Sequence, residues 1–153
     1  MSEELYAFIL ISRRKDDRKN DWMRRHLSAH VRPYAGLSGC GVGERLFDAR
    51  GVVVDPDSID KRTRMLARSQ IVVAEISVFD DVVWHAIEDA SRMRKTILCV
   101  ASAVSSAPER AAAVELLKAT HPKLRFEDYL IEVEIEQVIR KFFLRELPCL
   151  AMV

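Results

Sequence analysis

Apolar residues fall in short blocks, and the charged stretches between them carry their own apolar residues at helical spacing. Leu5 to Ile11 is a continuous apolar run of strand length, the pattern of a strand buried on both faces. The charged stretch that follows presents Trp22, Leu27 and Val31 at roughly helical spacing, which predicts a helix from about Asp16 to His30, ended by Pro33. Residues 34 to 51 hold Gly36, Gly39, Gly41, Gly43 and Gly51, all the glycines of the chain, and predict a loop with room for a short strand. After Val52 to Val54, the segment Asp55-Pro56-Asp57-Ser58 signals a helix start, with Asp57 or Ser58 as the cap of a helix reaching about Arg68.

Ile71 to Ile76 is a second buried-strand run. Asp80 and Asp81 then cap an amphipathic helix bearing Val83, Ile87, Ala90 and Met93. Thr96 to Val100 is a further strand, and Ser106 and Pro108 open a helix with Ala112, Leu116 and Ala119 on one face. Leu124 to Leu130 alternates weakly as a strand, and a last helix is predicted over about Val133 to Leu144. Strands alternating with helices imply an α/β fold: a three-layer α/β/α sandwich around a five-stranded parallel sheet, flavodoxin-like, in one domain spanning 1–153. Ligands in such folds bind beyond the carboxyl ends of the strands, which directs attention to residues 11–18, 54–60, 75–85 and 101–108.

Composition narrows the function classes. The 153 residues are 49% apolar and 31% charged, an ordinary globular balance. The net charge of +1 argues against a dedicated nucleic-acid binder. No apolar run reaches the ~18–20 residues of a membrane helix, so no membrane partner is expected. The opening Met-Ser-Glu-Glu lacks the basic start of a secretory signal, and a cytoplasmic location is expected. Cys40, Cys99 and Cys149 form no zinc pattern with His26, His30, His85 or His121, so neither metal nor cofactor is called for. Gly39-Cys-Gly41-Val-Gly43 has glycines enough for a phosphate-cradling loop, but it neither follows a clear strand nor opens a clear helix.

One set of motifs carries a resemblance. Ala67-Arg-Ser-Gln-Ile-Val-Val-Ala-Glu-Ile-Ser77, then Asp81-Val-Val-Trp-His85, then Lys95-Thr-Ile-Leu-Cys-Val100 resembles the nucleoside 2-deoxyribosyltransferases and the 2′-deoxynucleoside 5′-phosphate N-hydrolases. Arg125-Phe126 and Asp128-Tyr129, ahead of a helix carrying Phe142-Phe143, fit the N-hydrolase branch. The resemblance implies chemistry at the N-glycosidic bond of a deoxynucleoside monophosphate, and a homodimer. A carboxylate beside the sugar carbon would meet the oxocarbenium charge, and a second acid would protonate the departing base.

Several positions depart from that pattern. His85 stands where the resemblance implies the catalytic glutamate, and Trp84 replaces a tyrosine. The assisting acid maps near Arg62, with Asp60 the nearest carboxylate. The glycine turn maps onto Ile11-Ser-Arg-Arg-Lys-Asp-Asp17, which has no glycine, and a phosphate-holding serine maps near Val114. Imidazole accepts a proton but places no fixed negative charge against an oxocarbenium ion. Candidates for a rewired catalytic set are His85, Asp60 and Glu88; candidates for ligand contact are Ser12, Arg13, Arg14, Glu75, Asp81 and Trp84.

Each candidate has a plainer role beside it: a helix cap for Asp81, a solvated acid for Glu88, a helix-start side chain for His85. The basic stretch 12–25 offers a nucleotide phosphate, RNA or protein contact, and also the ordinary role of a solvated helix face. Three functions stay open: a catalytically degenerate member serving as a nucleotide-binding or interaction subunit, an active N-glycosidic-bond hydrolase or deoxyribosyltransferase with a rewired site, and a Toll/interleukin-receptor-like module of similar topology.

Overall fold

Alternation along the apolar runs sorts side chains to the two faces of one sheet. The computed structural model describes residues 5–54, 59–78, 80–103, 108–121 and 123–151. In chain order the elements are β1 (Tyr6–Ile11), α1 (Asp17–Val31), β2 (Gly36–Val42), β3 (Arg45–Phe47), β4 (Val53–Val54) and α2 (Ile59–Arg68). There follow β5 (Ile71–Glu75), α3 (Asp81–Arg92), β6 (Thr96–Ser102), α4 (Pro108–Thr120), β7 (Leu124–Tyr129) and α5 (Glu134–Ala151). The sheet order is β4-β3-β2-β1-β5-β6-β7.

Ala7, Ile9 and Ile11 of β1 join Met23, Leu27 and Val31 of α1 and Ile135, Ile139, Phe142 and Phe143 of α5 in one core. Phe8 and Leu10 face the other way, into a second core with Leu66 of α2, Val83, Ile87 and Ala90 of α3, and Val114 and Leu117 of α4. Period-two alternation within an all-apolar run therefore feeds two helical layers at once. The three-layer α/β sandwich expected from the sequence is present. The sheet has seven strands where five parallel ones were expected: β2-β1-β5-β6-β7 run parallel, and β3 and β4 add two antiparallel strands at the β2 edge.

The glycine-bearing segment is the main correction. Gly36 to Val42 is a full parallel strand paired with β1, not a loop, and Arg45 to Phe47 folds back on it. Its small residues answer a close approach by α2: a Cβ on Gly39 would lie 2.5 Å from the Met65 sulfur and 2.9 Å from the Phe47 carbonyl oxygen. A glycine run so placed mimics a loop in sequence while serving as a strand under a tightly packed helix. The last helix also runs to Ala151, beyond the expected end near Leu144, and Leu147 packs on the α1–α5 core. The helix-start signals at Asp57, Ser58 and Ser106 lie outside the described residues.

Capping follows the sequence where it is described. Asp16 caps α1 through the Arg18 amide, and Asp80 caps α3 through the amides of Val82 and Val83. The carboxyl end of α3 is less ordinary. The Lys95 amide donates to the Ala90 carbonyl at 3.0 Å and the Arg94 amide to the Ser91 carbonyl at 2.9 Å, a Schellman closure. The position that closure usually gives to glycine is held by Arg94, at φ +61°. An L-residue there costs roughly 1–2 kcal/mol.

Candidate functional site

Parallel strands β1 and β5 end level with each other, and β6 and β7 run two residues further, so residues far apart in sequence share one rim. Ile11 pairs with Glu75, Glu75 with Val100, and Ser102 with Tyr129. In sheets with the parallel order 2-1-3-4-5, ligands bind where the strand order reverses, here between the ends of β1 and β5. Ser12, Arg13 and Arg14 leave the first of these ends; Glu75 and Ser77 leave the second.

Glu75 is fully buried. Oε2 is paired with Nη2 of Arg14, accepts from the Tyr129 hydroxyl at 2.7 Å and from the Ser77 hydroxyl at 3.2 Å. Oε1 accepts from the Ser77 amide at 2.8 Å. The Ser77 hydroxyl in turn accepts from the Ser102 amide at 2.7 Å. Burial pushes the Tyr129 phenol above its ordinary pKa, and the adjacent Glu75 charge adds to the shift. Tyr129 therefore stays protonated and acts as a donor.

The surrounding turns are held to this network from both sides. The Ser12 amide donates to the Glu75 carbonyl at 2.9 Å. Arg14 is fixed at its backbone by Asn20, whose side chain accepts from the Arg14 amide at 2.7 Å and donates to its carbonyl at 2.8 Å. Asp80 accepts from the Arg13 amide at 3.0 Å while capping α3. Gly43 sits at φ +57°, and a Cβ there would lie 2.8 Å from the Cβ of Arg13. Its carbonyl accepts from Arg62 at 2.9 Å, and burial draws the Arg62 pKa down against the opposing charges of Asp80 and Glu44. Two donors at this rim remain buried with no hydrogen-bond partner: the Ser12 hydroxyl and Nη1 of Arg14.

Four of the sequence-derived candidates, Ser12, Arg13, Arg14 and Glu75, thus meet at one place. Trp84 is buried in the core formed with α2 and α4. Asp81 is exposed at the first residue of α3, beside the capping Asp80, and His85 is exposed on the same helix. Glu88 pairs with Arg92 at 3.4 Å on that surface, and Asp60 is exposed in the first turn of α2. Among the described residues, no hydrogen bond or ion pair joins His85, Asp60 or Glu88 to one another or to the Glu75 network. The basic stretch 12–25 divides: Arg14 turns inward to Glu75, whereas Arg24 and Arg25 pair with Asp21 along α1.

Sequence reasoning did not single out Tyr129, Ser77 and Asn20 as site residues. A polar side chain at the carboxyl end of a predicted parallel strand was a usable signal for Tyr129. Asn20, buried on an otherwise charged helix turn, had none. No cluster of three or more His, Cys, Asp or Glu side chains among the described residues is placed to hold a metal. No described helix is long and apolar enough to cross a membrane.

No protein-family model and no curated protein matches the sequence. Solved structures are similar, two of them as follows. A CMP N-glycosidase from Clostridium botulinum superposes with a TM-score of 0.57 at 14% identity, over 88% of this chain and 98% of its own. A provisionally named pilus assembly-related protein from Burkholderia pseudomallei gives a TM-score of 0.49 at 19% identity, over 91% of this chain and 90% of its own. At such identity the first likeness establishes one thing: the chain has an N-glycosidase-like fold of the flavodoxin-like α/β kind.

Proposed function

We propose that this chain is a nucleotide-binding member of the N-glycosidase fold that leaves the glycosidic bond intact. The observation that carries the reading is the state of Glu75. A carboxylate that attacks or stabilises a sugar cation must present an oxygen to the ligand. Glu75 is buried, and its oxygens are taken by Arg14, Tyr129 and Ser77. Its role is to hold Arg14 at the rim. The likeness to a CMP N-glycosidase supports a nucleoside monophosphate as the ligand class. Arg13, Arg14 and the Ser12 hydroxyl supply donors for the phosphate.

The test uses the full chain with CMP and a panel of deoxynucleoside 5′-monophosphates. Equilibrium dialysis measures binding, and chromatography quantifies released base. Saturable binding without base release is the expected result. Release above that of a His85→Ala variant would overturn the reading in favour of a rewired hydrolase.

A further inference from the structure

The amino ends of β6 and β7 frame a cleft at the opposite rim of the sheet. Its volume is about 300 Å³, and its walls include Arg92, Arg94, Lys95 and Lys123 above the apolar side chains of Ile97 and Leu124. No carboxylate lines it among the described residues. Arg92 is turned to Glu88 and Asp89 on the surface of α3. Arg94, Lys95 and Lys123 form no ion pair among the described residues. Lys95 donates to the Ala67 carbonyl at 3.0 Å, in the last turn of α2, so its ammonium is held at that helix end at the margin of the cleft, and burial draws its pKa down.

Two further observations point to a ligand. Ser91 lines the cleft with its hydroxyl buried and without a hydrogen-bond partner. Arg94 occupies the left-handed position of the helix closure, where glycine would relieve the backbone but remove the guanidinium from the cleft. Strain kept in place beside a pocket is a mark of function.

We propose that this cleft is a phosphoryl-binding site for a small molecule bearing an orthophosphate or diphosphate group. The guanidinium fork of Arg94, the ammonium group of Lys123 and the Ser91 hydroxyl match the charge and acceptor pattern of such a group, and Lys95 adds positive charge at its margin. Ile97 and Leu124 lie under the uncharged remainder of the ligand. The site is separate from the nucleotide site proposed above and does not depend on it.

The experiment follows backbone amide resonances of the intact chain during titration with sodium phosphate and sodium pyrophosphate, against sodium chloride at equal ionic strength. Saturable shifts at the amides of Ser91, Lys95 and Lys123 are expected, tighter with pyrophosphate. Affinity should fall roughly tenfold in Arg94→Gly and in Lys123→Ala. Arg94→Gly should at the same time raise the melting temperature, so its weaker binding cannot come from misfolding. Lys123→Ala provides the same test without touching the backbone. Equal affinity in both variants, shifts that never saturate, or shifts confined to the amides of residues 12–14 would overturn the proposal. Tighter engagement of the same amides by a short RNA than by pyrophosphate would overturn the small-molecule assignment.

Discussion

The two rims of the sheet treat charge in opposite ways. At the carboxyl rim a buried acid is matched by one guanidinium, one phenol, one hydroxyl and one amide. At the amino rim Arg94, Lys95 and Lys123 stand together without an acid, one of them on a backbone that glycine would suit better. The difference shows that a carboxylate at the ligand-facing end of a strand is not thereby open to a ligand. Its availability depends on what already holds it, and here four protein donors do.

Removing one side of the pairing breaks the contrast most sharply. Arg14→Met leaves the Glu75 charge buried without its cation, and a loss of about 3–5 kcal/mol in urea unfolding is expected. A loss on the order of 1 kcal/mol, the worth of a surface pair, would mean that the carboxyl rim is solvated after all. Tyr129→Phe removes one donor to the same carboxylate. Its expected cost is about 1.5–3 kcal/mol, measured in the same way, and a neutral result would assign the burden to Arg14 and Ser77 alone.

The smallest effect expected comes from a titration foreign to both rims. His30 lies near the end of α1, its ring edge-on to His26. Burial, and then the His26 charge, hold its pKa below the ordinary 6.5, with Glu136 opposing. The unfolded chain therefore takes up the proton first. Stability from neutral His30 is present above about pH 6.5 and is lost as pH falls through the lower folded value. His30→Gln should flatten the melting temperature between neutral and mildly acid pH, and an unchanged slope would assign acid sensitivity elsewhere.

Much of the fold was legible because burial on two faces writes itself as uninterrupted apolar runs. Tyr6–Ile11, Ile71–Glu75 and Thr96–Ser102 are such runs, and Asp16 and Asp80 mark the helices that follow two of them. Gly36–Val42 was not legible. Its composition records the approach of Met65 from α2, a tertiary fact without a local signal. Of the candidate site, the strand-end positions were legible, Ser12, Arg13, Arg14 and Glu75, because the apolar runs locate them. Among the described residues, no hydrogen bond or ion pair joins His85, Asp60 or Glu88 to them. Tyr129 and Arg14 reach Glu75 across 54 and 61 residues of chain, and only the sheet register brings them there. Nor does Arg94, in a stretch without glycine, betray its left-handed backbone.

The margins of the sheet carry a consequence for association. At one margin β4 has only two residues, Val53 and Val54, too short a ladder to recruit a passing strand. At the other, β7 turns Arg125, Glu127 and Asp128 outward, charges that a docking strand would have to desolvate. Short and charged borders are how sheet proteins escape edge-to-edge polymerisation. Neither margin of the sheet therefore invites a second copy to extend it.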